Sequence, residues 1–292
     1  MRALRLTSLR GAFVVALAGM ALAVACSSFS DDPGASADAG GAETSTLTPE
    51  ASVDDRAVPP VDGGLDGGQG SPCDGFVDAT FCDDFSGKDL NRARWTPYFF
   101  SLLPDGGTGP VGSVGLADVG LGPPGIEAVL PRGIDNGASA LRLTQAFTKR
   151  IRVRADFRVA ERGDAASDYV TLISLAIPTQ PPIAVSVDVN PSTKKSYLKV
   201  VNQQAGGNLA DAELGMAFEA WGAAELDVSL ETPIVVKATV GSGAGAIEKN
   251  VTLNLMNDPP AKMVTVFGGI SQASSKGGPT RVHMDNFALW AE

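Results

Sequence analysis

The sequence predicts an all-β domain, either a two-sheet sandwich or a barrel, and three observations carry that expectation. First, residues 149–159 alternate strictly. Ile151, Val153, Ala155, Phe157 and Val159 fall on one side; Arg150, Arg152, Arg154, Asp156 and Arg158 fall on the other. A period of two over such a run is the mark of a strand with one buried face. Second, short apolar runs recur at 140–147, 168–177, 183–189, 196–201, 225–230, 234–240, 250–256, 263–267 and 281–290. Third, the joints between them are glycine- and proline-rich, as at Asn190-Pro191-Ser192, Gly206-Gly207-Asn208 and Gly277-Gly278-Pro279. Many short strands with such turns build sandwiches or barrels. Only residues 210–220 suggest helix, and there one short turn.

The elements follow in chain order. Arg2, Arg5 and Arg10 precede an apolar run, 11–25, that ends at Cys26. A charged start, an apolar stretch and small residues make a secretory signal. At about 15 residues the run is too short for a hydrocarbon core that needs about 20. The segment Ala23-Val24-Ala25-Cys26 resembles the cleavage site of a bacterial lipoprotein, with Leu22 one position earlier than the usual leucine. That resemblance implies cleavage after residue 25, a lipidated Cys26 inserted in a lipid bilayer, and, with Ser27 and Ser28 following, passage to the outer membrane. Several acyl chains on one cysteine suffice for stable anchoring.

Residues 26–70 are mostly Asp, Gly, Ala, Ser, Thr and Pro, with no aromatic after Phe29. Such a segment does not bury enough apolar area to offset its ordering entropy, so it is expected to be a disordered spacer. As a coil it would reach roughly 35–40 Å. It holds nine acids and one arginine, so most of the chain's net charge of −10 belongs to it, and residues 71–292 carry only −5. These last residues, about 220, suit one all-β domain. A mildly acidic domain excludes nucleic acid as a partner, since that needs a basic footprint. With Cys26 taking lipid, Cys73 and Cys82 remain as a pair in an oxidising compartment, and a disulfide between them is expected.

The domain opens with Phe81-Cys-Asp-Asp-Phe-Ser-Gly-Lys-Asp-Leu-Asn-Arg-Ala-Arg-Trp95 and closes with Arg281-Val-His-Met-Asp-Asn-Phe-Ala-Leu-Trp290. This pairing resembles the concanavalin A-like lectin/glucanase superfamily. The resemblance implies a jelly roll of two antiparallel sheets with the end strands paired at one edge region. It also implies a structural calcium at Asp285, assisted from the neighbourhood of Asp84. Calcium takes six to eight oxygens, and Asp285 as a simple acceptor of backbone hydrogen bonds is the competing reading.

Hydrolases of that superfamily carry three spaced acids on one strand. Here Glu225, Asp227 and Glu231 share parity, but Ser229 and Leu230 stand where a third acid belongs. Glu225 and Glu231 would lie about 20 Å apart on an extended strand, whereas a retaining pair needs about 5–5.5 Å. No catalytic residue is therefore assigned. The arginines 150, 152, 154 and 158 form the candidate binding stripe, because guanidinium forks match carboxylates and sulfates. Cross-strand pairing with acids such as Asp168 or Asp188 is the alternative. Trp221 is the candidate stacking residue beside them. His283, the sole histidine, is expected to be structural. Glycines 107, 109 and 112 match a dinucleotide pattern by letters, but Pro110 and the missing helix exclude it; the region 105–125 reads as a surface loop.

These readings converge on a monomeric cell-envelope lipoprotein. Its sandwich is expected to bind carbohydrate without catalysis, and no cofactor is assigned beyond the calcium. A divergent polysaccharide hydrolase or lyase, and an envelope scaffold that binds protein, are the alternatives.

Overall fold

The computed structural model describes residues 72–122, 124–163, 168–190, 192–241, 243–255 and 262–292. The expected leader, Cys26 and the spacer to residue 70 lie outside the described residues. After a short turn, Pro72–Gly75, come fifteen strands: β1 Phe81–Asp83, β2 Thr96–Leu102, β3 Ser113–Ala117, β4 Gly125–Leu130, β5 Ile134–Phe147, β6 Arg150–Glu161, β7 Tyr169–Ile177, β8 Ile183–Asn190, β9 Lys195–Asn202, β10 Asn208–Glu213, β11 Gly222–Ser229, β12 Ile234–Val240, β13 Ile247–Leu253, β14 Lys262–Ser275 and β15 Thr280–Ala291. They form a two-sheet antiparallel jelly-roll sandwich. The first sheet runs β13-β12-β11-β6-β15-β4-β3, with β1 also on β15; the second runs β10-β9-β8-β7-β14-β5-β2.

Alternation explains the core. From the first sheet, Ile151, Val153, Ala155 and Phe157 of β6 and Leu226 and Val228 of β11 turn inward and are fully buried. From the second, Ile173, Leu175, Val185 and Val187 join the same cluster. At roughly 25 cal/mol per Å² of apolar surface buried, these paired inner faces are the main source of stability. Glycine lets the sheets come close at one point: a Cβ on Gly268 of β14 would stand 2.7 Å from Met284 Sδ of β15.

The first and last strands meet as the sequence implies, but not at a sheet edge. β1 pairs β15 through Phe81↔Leu289 and Asp83↔Phe287, while β15 lies between β6 on one side and β4 and β1 on the other. Trp95 locks the join. It is 1% exposed, meets the rings of Phe287 at 4.7 Å and Phe81 at 5.7 Å, and donates its indole N–H to Asp83 at 2.9 Å.

Several boundaries differ from expectation. Residues 210–220 hold no helical turn; β10 pairs β9, and Ala210 and Ala212 pack against the core. Its alternation is weak because only alanines face inward. The glycine-rich stretch 105–125 contains β3, and β4 starts at its end. β2 was masked in the sequence by Tyr98, Phe99 and Phe100, three aromatics in a row with no period of two. β14 runs to Ser275 through a bulge after Gly268, and β13 starts at Ile247 and stops at Leu253.

Candidate functional site

The arginine stripe lies on the outer face of the first sheet, and local partners engage it. Asp188 and Asp168, offered above as alternatives, belong to the second sheet's side of the molecule; the acids opposite the stripe come from β11. Arg152 lies across from Asp227 and Arg154 across from Glu225. Arg150 forks Asp227, with Nε on Oδ1 at 2.8 Å and Nη2 on Oδ2 at 2.5 Å. Hydrogen bonding and the carboxylate charge raise the Arg150 pKa further. The Arg152 guanidinium stacks on Trp290, 3.8 Å from its centroid, and that of Arg154 lies 5.6 Å from the Phe76 ring.

These two aromatics belong to a clasp. Phe76 meets Trp290 edge-on, Trp290 donates to the Val77 carbonyl, and the Cys73–Cys82 disulfide closes the loop. The stripe's middle is thus the seat of a disulfide loop. At its far end Arg158 faces His283, and Trp221 lies 6.3 Å from the same imidazole. Burial, joined by the charges of Arg158 and Arg281, lowers the His283 pKa against the pull of Glu127 at 3.4 Å. The imidazole is neutral at neutral pH.

The acids of β11 face the stripe, Glu225 across from Arg154. Asp227 is occupied by Arg150, and the strand ends at Ser229, leaving Glu231 in the turn before Pro233. Both line a depression of about 500 Å³ together with Lys149, Lys237 and Glu248, of which the last two pair at 2.8 Å.

The donors at Asp285 do not fit calcium, whose ligands are oxygens. Its Oδ2 accepts the Leu121 N–H and its Oδ1 the Asn286 N–H, both at 2.8 Å. Burial raises its pKa despite these bonds. A Cβ on Gly120 would reach within 2.9 Å of Oδ2, so glycine lets this loop wrap the carboxylate. Asp84 instead accepts from the N–H and hydroxyl of Ser86. Among the described residues no three His, Cys, Asp or Glu side chains are grouped to hold a metal.

The second sheet's outer face carries a different chemistry. One register row crosses its strands: Thr96, Arg142, Phe267, Ser174, Ser186, Lys199 and Asp211. The neighbouring row brings Tyr98, Thr171, Asp188 and Tyr197 onto the same face. Tyr98 packs on Phe267 at 5.1 Å, with Phe100 beyond at 5.9 Å, and the Arg142 guanidinium lies 5.7 Å over the Tyr98 ring. Asp188, only 6% exposed, accepts the hydroxyls of Thr171 and Ser186 at 2.8 Å and pairs with Lys199 at 3.0 Å. Gln272 stands opposite Thr171 and donates to Asn136 at 3.2 Å. Burial, then the charges of Asp188 and Asp135, push Tyr169 up to about 12, so its phenol stays protonated at neutral pH. All three tyrosines of the chain lie here. A sheet face with half-buried rings and fixed donors and acceptors is suited to binding a polar ligand with flat apolar faces.

No family model matches the chain, and no curated protein sequence does either. Solved structures do. The chain is similar to an endo-β-1,4-glucuronan lyase from the fungus Trichoderma reesei (10% identity, 67% of this chain and 95% of that one, TM-score 0.46). It is similar to a cellulose-induced protein (15%, 73% and 97%, 0.47) and to the lectin UEA-II in complex with galactose (8%, 67% and 98%, 0.42). At these identities the likeness is one of strand architecture, the jelly roll described above.

Proposed function

We propose that this chain is an exported lipoprotein, held at the cell envelope by Cys26, whose sandwich binds carbohydrate on the outer face of its second sheet. One observation carries the reading: Tyr98, Tyr169, Tyr197 and Phe267 share that face with the Asp188 network. Sugars offer an apolar ring face beside hydroxyls, and half-buried aromatics among satisfied polar groups match both. Three acids of the face are committed, Asp188 to Lys199, Glu213 to Lys195 and Asp135 to Lys276, while Asp211 is an exposed residue of β10. This favours binding over acid–base hydrolysis.

A glycan array with the full chain, wild type against a Tyr98→Ala/Phe267→Ala double variant, tests the reading. Wild type is expected to bind a defined glycan set, and the variant to lose at least about tenfold in affinity, with an unchanged unfolding midpoint. An array with no ligand for the wild type, or equal binding by both, defeats it. The anchor has its own test: Cys26→Ser should abolish incorporation of labelled palmitate and move the protein from the membrane to the soluble fraction. Label retained by that variant would rule out lipidation at this residue.

A further inference from the structure

We infer that the ligand of the second sheet's face carries an anionic group, carboxylate or sulfate, and that Arg142 reads it; the inference rests on the carbohydrate reading above. Arg142 sits in β5 between Leu141 and Leu143, which both turn into the core. Alternation therefore fixes its side chain on the outer face. Thr96 of β2 and Phe267 of β14 stand directly opposite it. Every other cation named on this face has an acid: Lys199 has Asp188, Lys195 has Glu213 and Lys276 has Asp135. Arg142 alone among them is held by a ring rather than a carboxylate, and among the described residues it has no acidic partner.

A cation–π contact holds a guanidinium in place without occupying its N–H fork. That fork matches a carboxylate or a sulfate in a bidentate way. The flanking rings of Tyr98 and Phe267 are placed to stack the sugar that bears the anion. From Arg142 the row continues through Phe267, Ser174 and Ser186 to Lys199, four strand spacings or about 19 Å. An oligosaccharide lying along it would meet the cation at one end and hydroxyls beyond. Lys199 is satisfied within the protein by Asp188, so charge recognition is confined to the Arg142 end and the bound chain has one direction.

Isothermal titration of the full chain with two matched polymer pairs tests this: polygalacturonate against its carboxyl-reduced counterpart, and dextran sulfate against dextran. We expect the charged member of one pair to bind at least about tenfold tighter than its neutral partner, and that pair identifies carboxylate or sulfate. Arg142→Ala should remove the preference, and Arg142→Lys should recover only part of it, because a point charge lacks the fork. An unchanged thermal midpoint in both variants excludes misfolding as the cause. Equal binding of charged and neutral members, or a preference that survives Arg142→Ala, overturns the role of Arg142 and leaves the carbohydrate reading standing. Failure of all four polymers overturns the inference as well. If the array also shows no ligand, the carbohydrate reading falls with it.

Discussion

Trp95→Ala is expected to destabilise the sandwich by about 3–5 kcal/mol, the range for truncating a large buried ring. The indole is 1% exposed and packs against Phe81, Phe85 and Phe287. It therefore touches residues from β1, from the loop after it and from β15, and its removal leaves a cavity where the first and last strands are joined. A second loss adds to the first. The indole N–H donates to Asp83 Oδ2, while Asp83 Oδ1 accepts the Phe85 N–H. That second bond holds Phe85 at a φ of 55°, a conformation rare outside glycine. Trp95→Phe keeps most of the packing and removes only the donor, so it should cost about 1–2 kcal/mol. Urea unfolding followed by circular dichroism measures both. For a domain of this size, each kcal/mol corresponds to roughly 2–4 °C in midpoint. A loss under about 1 kcal/mol for Trp95→Ala would mean that the two ends are not clasped by this side chain.

The strand content was legible where one face of a strand is uniformly apolar. In β6 and β12 every second residue is Ile, Val, Ala or Phe, and both were expected close to where they lie. It was illegible in β10, where only alanines turn inward and bury too little area to stand out, and in β3, where Val114 and Leu116 alone carry the pattern in a glycine-rich stretch. The outer faces were harder. Parity placed Arg150, Arg152 and Arg154 together, but not the partners opposite them, since register is a property of strand pairs. Asp227 proved to be the acid that holds Arg150, and Trp290, from the far end of the chain, the ring beneath Arg152. The same limit hid the second sheet's face. Tyr98, Tyr169 and Tyr197 are far apart in sequence, and three separate strands bring them to one surface. Arg142 did carry a signal: the run Leu141-Arg142-Leu143-Thr144 already sets the arginine opposite two leucines. Nothing local showed that its neighbours would be aromatic while other cations on the face met acids.

Asp188→Asn is expected to cost about 1–3 kcal/mol and to change how Tyr169 titrates. The carboxylate is 6% exposed and serves three donors: Thr171, Ser186 and Lys199. Asparagine keeps one acceptor oxygen for the two hydroxyls but removes the charge that faces Lys199. The ammonium, partly exposed, can turn to solvent, so the loss stays below that of a fully buried broken pair. Burial raises the Tyr169 pKa first and the Asp188 charge second. Removing the charge should bring the phenol down from about 12 while burial keeps it above its ordinary value of 10. The sign for stability follows from proton binding. Between pH 10 and 12 the unfolded chain gives up this proton while the folded chain keeps it, so wild-type stability falls as pH rises through that window. In Asp188→Asn the fall should be shallower. Tyrosinate absorbance followed against pH reads the shift directly, and Tyr169→Phe, lacking that step, assigns it among the three tyrosines. A Tyr169 step that stays where it is in Asp188→Asn would show that the Asp188 charge does not reach the phenol. At neutral pH the phenol is protonated in both proteins. Glycan affinity should therefore change less than stability, which separates the residue that organises this face from those that touch the ligand.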